Sequence, residues 1–210
     1  MSMPPLTSSQ DPEPAWDVAT LFPGQGHWSE FEYLSLTQST NRLVELKAGR
    51  IKVLPMPTMA HHLIVIYLLE VFKAFVKSQK LGIVLIAPLR VRISLGEFRE
   101  PDLVFMRSEN KSRAANEFWD GADLVLEVVS KDAESRRRDH QDKRADYAAA
   151  GIPEYWIVDP VEKRITVLTL EGREYAVLGE FTPGQQAASR LLKGLSVDVT
   201  ATFKAADDMC

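Results

Sequence analysis

The alternation of apolar and polar positions becomes regular only beyond residue 25. Upstream, "MSMPPLTSSQDPEPAW" is rich in proline and polar residues and carries no period, which predicts a flexible leader over 1–25. "WSEFEYLSL", from Trp28, predicts a short helix. "RLVEL" and "RIKVL" flank "KAG" and predict a β-hairpin turning at Gly49 and stopped by Pro55 and Pro57. Thr58 is an N-cap for a helix reaching to about Ser78, with Ile64, Leu68, Val71, Phe72 and Phe75 at helical spacing on one face. "GIVLIAPLRVRIS" from Gly82, "PDLVFMR" from Pro101 and the segment 123–130 read as strands rich in branched residues. A helix follows within "DAESRRRDHQDKRADYAAAG", stopping at Gly151 with Pro153 just beyond. "EYWIVD" is a further strand, "KRITVLTLEGREYAVLGEF" a hairpin around Glu171 and Gly172, and "LSVDVTATF" a last strand. The order helix, three strands, helix, strand predicts an α/β core: a central sheet flanked by helices, with added hairpins, forming one domain over 26–205 with a tail at 206–210.

One residue breaks this pattern. In "DLVLEVVSKD" the apolar Leu124, Val125, Leu126, Val128 and Val129 belong to a strand covered on both faces, yet Glu127 sits among them. Side chains alternate along a strand, so Glu127 shares a face with Asp123, Val125 and Val129, and Asp102 shares one with Glu100 and Val104. If the two strands are neighbours, Asp102 and Glu127 converge at one end of the sheet. Two close carboxylates repel unless a cation lies between them, and oxygen ligands suit a hard ion such as Mg²⁺ or Mn²⁺. The Val128 backbone carbonyl is a third oxygen for such an ion, and Lys143, on the following helix, is placed to assist attack on a phosphate.

Composition narrows the setting. The chain has 210 residues, 45% hydrophobic and 26% charged, enough for one globular core. Its single cysteine, Cys210, excludes an internal disulfide and a cysteine-built zinc site, and the expected setting is the reducing cytoplasm. No secretory signal is visible at the start, and the apolar run "LIVIYLLEVF" is interrupted by Glu70 and short of the roughly 20 residues of a membrane span. A net charge of −4 means that any grip on nucleic acid comes from a local patch. Arg136, Arg137, Arg138 and Arg144 form the one dense basic patch, suited to phosphate contacts.

"PD" at Pro101–Asp102 followed by "EVVS" at Glu127 resembles the PD-(D/E)xK nuclease superfamily, with its restriction-endonuclease-like core. More narrowly, "RLVELKAGRIKVLPMPTMAHHL", "REPDLVFM", "ADLVLEVVS" and "KRADYAAAGIPEYWIVDP" resemble the Uma-two family over roughly 26–205. The resemblance implies an Mg²⁺-dependent endonuclease acting on DNA, Mn²⁺ substituting, with Asp102 and Glu127 as metal ligands and a homodimer as the working form. The superfamily lysine belongs two residues after the glutamate, where this chain has Val129. The relatives replace it with a lysine on the next helix, which implies Lys143; Lys131 is the rival. Glu45, in the block "ELKAG", resembles an upstream acidic position that reaches the metal, and His62 is expected to border the cleft.

Each residue also has a plainer reading. Glu127 alone is a buried ion-pair partner, Asp102 a turn residue, Lys143 an exposed lysine paired with Asp139, Glu45 a hairpin charge, and the arginines a solvated helix start. Two other functions stay open: a nuclease-fold binding module that has lost turnover, and a metal-dependent hydrolase of RNA or small phosphoesters.

Overall fold

The computed structural model describes residues 21–40, 42–130 and 132–207. Most of the expected leader, Lys131 and the end of the tail with Cys210 therefore lie outside the described residues. A capping box between Ser29 and Glu32 starts helix α1 (Glu30–Gln38). The hairpin strands β1 (Val44–Lys47) and β2 (Arg50–Val53) turn at Gly49, whose φ is +66°. A Cβ at Gly49 would stand 2.6 Å from the Gly26 carbonyl oxygen, because Gly26 and Trp28 both donate to the Gly49 carbonyl. The chain entering the domain is thus clipped to the hairpin tip from Gly26 onward.

Helix α2 (Met59–Ser78) runs as its pattern predicts, with the Thr58 hydroxyl accepting from the His61 N–H. By length and hydropathy α2 could cross a bilayer, but its stripe of Ile64, Val65, Leu68, Phe72 and Val76 is buried against the sheet. "GIVLIAPLRVRIS" is two strands rather than one. β3 (Gly82–Ile86) and β4 (Val91–Ser94) join different sheets, separated by the cis Ala87–Pro88 bond. β5 (Glu97–Arg99), β6 (Leu103–Arg107), a 3₁₀ turn at Ser108–Arg113, β7 (Trp119–Asp120) and β8 (Leu124–Val128) follow. The charged segment is helical in three pieces: α3 (Ala133–Arg137), a π turn (Arg138–Asp142) and α4 (Lys143–Ala149). After Gly151 come β9 (Glu154–Asp159), the hairpin β10 (Arg164–Glu171) and β11 (Glu174–Phe181), and the short pair β12 (Gln186–Ala188) and β13 (Ser196–Asp198). The expected last strand stops at Asp198, which caps α5 (Val199–Lys204) instead.

The central sheet has six strands in the order β11-β10-β9-β8-β6-β3, with β8 and β9 its one parallel pair among the described strands. α2 and α5 cover one face, burying Leu124, Leu126, Val128 and Trp156. α4 and the second sheet, β2-β1-β5-β4-β7, cover the other, burying Val104, Val125, Val129, Tyr147 and Tyr155. A smaller core of Trp28, Tyr33, Val44, Leu46 and Phe98 fixes α1 on the second sheet. The architecture is the mixed α/β sheet with flanking helices and added hairpins that the pattern predicts.

Candidate active site

Strand register brings the two acidic residues together. Leu103 pairs with Leu126 in the antiparallel β6–β8 ladder, so Asp102, one residue before β6, comes opposite Glu127. Alternation turns both toward α4, on the face of Val104, Val125 and Val129. Both line a small cleft with His61, Glu100, Val128, Arg138, Asp139 and Lys143, roofed by Leu54, Pro55 and Pro57. Its cavity of about 40 Å³ has room for an ion and a water or two, not for a nucleotide.

Every acidic group in the cleft is held by a specific donor. Asp102 Oδ2 accepts from the Val128 N–H at 2.7 Å and lies 3.1 Å from His61 Nε2. Glu127 Oε1 accepts from the Tyr147 hydroxyl at 2.6 Å, and Lys143 Nζ lies 2.8 Å from its Oε2. The same ammonium is 3.3 Å from Asp139 and 3.6 Å from Glu45. Glu45 in turn takes a hydrogen bond from Arg99 at 2.7 Å, and Arg99 pairs with Asp146, which also meets Lys47 at 2.6 Å. A chain of alternating charge therefore leads from the half-exposed Lys47 through α4 to the buried Glu127.

The π turn has a part in this placement. Arg138 and Asp139 fall within it and are buried, and Lys143 and Tyr147 follow it on the inner side of α4. Single wide turns of this kind recur at functional sites because they re-aim the side chains that follow. Lys143 is only 2% exposed, which rules out its plainer reading as an exposed surface lysine.

Burial and charge act on the ionisation of these groups in opposite directions. Burial pushes the Glu127 carboxyl up to about 8; the Lys143 charge pulls it down, while Asp102 and Asp139 push it up further. Burial also works against the Lys143 ammonium, but Glu127, Asp139 and Glu45 outweigh it and hold the amine well above the ordinary lysine range. For Glu45 burial opposes ionisation, and Lys143, Arg99 and Arg138 overcome it, leaving the carboxyl below its usual value. His61 is raised: its burial is outweighed by the hydrogen bond and charge of Asp102. Glu100 is pushed by burial to about 7.

These shifts predict a pH-dependent stability. Glu100 and Glu127 keep protons in the folded protein up to about 7 and 8, whereas in the unfolded chain they lose them near 4.5. The folded state therefore binds more protons between those limits, and stability falls as pH rises through that window. For Glu100 alone the loss is of order 2–3 kcal/mol. Urea midpoints are expected to drop from pH 5.5 to pH 8.5, and Glu100→Gln to flatten the lower part of that drop. A level profile in the wild-type protein would contradict the assignment.

The remaining sequence candidates separate. Glu45 joins the cluster, its Oε1 buried without a hydrogen-bond partner. His62 is exposed and outside the cleft, and His61 stands where His62 was expected. His61 was legible: with Ile64, Leu68 and Phe72 it continues the buried stripe of α2, and His62 does not. The basic patch is dispersed. Arg136 pairs with Asp159 and Glu162, Arg137 is mostly exposed beside Asp142, and only Arg138 lines the cleft. Arg144 donates to the Tyr175 carbonyl and borders a separate groove of about 710 Å³ between α4 and β11. Arg99, the buried partner of Glu45, was not expected as a site group, and Tyr147, expected in the core or the cleft wall, presents its hydroxyl to Glu127. A second groove, about 400 Å³ and mostly apolar, opens from His61 past Met56, Ala60 and Pro160.

The donor set suits a hard divalent ion. Among the described residues no three His, Cys, Asp or Glu side chains are grouped so that they could hold a metal ion. Mg²⁺ does not require such a group: it is held by one or two carboxylates and keeps most of its water. Asp102, Glu127 and the Val128 carbonyl are such a set. Carboxylates are also in excess around the cleft, where Asp102 disfavours ionisation of Glu127 and Glu45 Oε1 lacks a donor.

Comparisons with known proteins agree with this architecture. A crystal structure of a "putative nuclease belonging to DUF820" from Anabaena variabilis superposes with a TM-score of 0.65 at 18% identity, covering 82% of this chain and 98% of that one. No curated protein matches the chain. The model of the Uma2 family, described as "Putative restriction endonuclease", matches residues 28–200. Spanning every element from Trp28 to the start of α5, that match makes the chain a member of the Uma2 family, with a nuclease-like fold.

Proposed function

We propose that this protein is a metal-dependent endonuclease that hydrolyses phosphodiester bonds in DNA. The observation that carries the reading is the meeting of Asp102, Glu127 and Lys143 in one cleft, with Lys143 delivered from α4 to within 2.8 Å of Glu127 although Val129 fills the superfamily's lysine position. A divalent ion of the Mg²⁺ class, held by Asp102, Glu127 and the Val128 carbonyl, supplies Lewis acidity to the phosphate and an acidified water. The chain's own groups do the rest. The Val128 N–H and the Tyr147 hydroxyl fix the two carboxylates, so that neither reorganises during the reaction. The Lys143 ammonium stabilises charge that builds on the phosphate under attack, and Arg138 is the cation at the cleft wall that a flanking phosphate can meet. Arg137, exposed next to Arg138 in sequence, adds to that attraction. The roof of Leu54, Pro55 and Pro57 limits water at the centre.

The test is direct. Purified protein is expected to nick or linearise circular DNA with Mg²⁺ or Mn²⁺ and to leave it intact in EDTA, with labelled single-stranded DNA and RNA as comparison substrates. Protein that binds DNA but never cuts it with either ion would favour a binding module. Cleavage confined to RNA would move the substrate class.

A further inference from the structure

We propose that His61 is a direct ligand of the divalent ion, and that this nitrogen turns the site toward Mn²⁺ at the expense of Mg²⁺. The inference rests on the reading of Asp102 and Glu127 as metal-binding, and adds to it a residue and a choice of ion.

The ring already stands among the oxygens assigned to the ion. His61 Nε2 lies 3.1 Å from Asp102 Oδ2, and the ring lines the cleft together with Asp102, Glu127 and Val128. A ring nitrogen held against a carboxylate of this cleft occupies a place where a cation is favourable. Its spacing is also that of a shared coordination shell. Two neighbouring donors in an octahedron with metal–ligand bonds of about 2.1 Å are about 3.0 Å apart. His61 and Asp102 thus need little displacement to become adjacent ligands once the ring gives up the proton on Nε2.

Local structure keeps the ring there. His61 sits in the first turn of the twenty-residue α2, its N–H bonded to the Thr58 cap, and its side chain is on the helix face that packs on the sheet. Its other nitrogen, Nδ1, is buried without a hydrogen-bond partner. Among the described residues the ring's one hydrogen bond is therefore that to Asp102, the contact an ion would replace.

The chemistry of the donors then selects the ion. Mg²⁺ prefers oxygen throughout and surrenders its water reluctantly, whereas imidazole nitrogen raises the affinity of transition ions in the Irving–Williams order. Carboxylates, a carbonyl and one imidazole make a site for Mn²⁺ or its heavier neighbours.

Electron paramagnetic resonance of Mn²⁺ bound to the tag-free full chain tests this without an activity assay. Pulsed spectra are expected to show coupling to a directly bound ¹⁴N. His61→Ala should remove the coupling and weaken Mn²⁺ at least about tenfold, with Mg²⁺ affinity, read by competition, much less affected. His62→Ala should leave the coupling in place. His61→Gln serves as a second variant, since it keeps side-chain length and offers oxygen. Mn²⁺ that is released by Asp102→Asn yet shows no nitrogen coupling in the wild type overturns the His61 assignment and leaves the carboxylate site standing. Absence of any Mn²⁺ binding sensitive to Asp102→Asn overturns both.

Discussion

Asp102→Asn is expected to lower DNA cleavage about a thousandfold or more while the protein remains folded. The substitution keeps shape and leaves an oxygen for the Val128 N–H, which lies 2.7 Å from the native carboxylate. What it removes is the negative charge that the proposed ion requires. Lewis-acid stabilisation of a phosphoryl transition state is worth several kcal/mol, and about 4 kcal/mol corresponds to a factor of about a thousand in rate. Initial rates at saturating Mn²⁺, with a thermal melt on the same sample, separate loss of chemistry from loss of fold. An Asn variant that cuts at the wild-type rate would remove Asp102 from the mechanism. Because His61 Nε2 also faces Asp102, the variant should weaken metal binding as well as turnover.

The second large effect concerns stability. Lys143→Met is expected to destabilise the protein by about 3–5 kcal/mol near neutral pH, the usual result of removing one partner from a buried charge cluster. Lys143 is the common neighbour of Glu127, Asp139 and Glu45, and methionine fills its space without its charge. Glu127, pushed up to about 8, already carries a proton near neutral pH, so the cost falls on Asp139 and Glu45, which lose their shared cation. The penalty should therefore shrink only at acid pH, where Glu45, no longer held below its usual value by Lys143, takes a proton, and Glu45→Gln added to Lys143→Met should restore part of the lost stability. Urea unfolding of the two single variants and the double variant forms the relevant cycle. A methionine variant as stable as the wild type would show that the ammonium is not what neutralises the cluster.

The features legible in the sequence are those set by short-range rules. Thr58 and the apolar stripe marked α2 to its last residue, Gly49 and Gly172 marked two hairpin turns, and strand alternation placed Glu127 on the same side as Asp102. Features that depend on remote partners were not legible. "GIVLIAPLRVRIS" looks like one strand because branched residues continue on both sides of Pro88; only the proline hinted that the chain leaves one sheet for another. β5 and β12, three residues each, are too short to show a period. Arg99 and Glu45 are 54 residues apart, and nothing local links them. Arg136, Arg137 and Arg138, consecutive in sequence, part because a helix spreads consecutive side chains around its axis, and Arg144 lies beyond the π turn. Within the site, Asp102, Glu127, Lys143 and Glu45 do meet. His61 was passed over for its neighbour although the spacing of α2 favoured it.

Because the widened turn at Arg138–Asp142 precedes Lys143 and Tyr147, the rotational phase of both depends on how many residues that turn contains. Losing one residue there would swing them about 100° around the axis, carrying the amine and the phenol out of reach of Glu127. Outside Arg138 and Asp139, this stretch should accordingly accept changes of residue type more readily than changes of length, and alignments of relatives across it are best drawn without gaps.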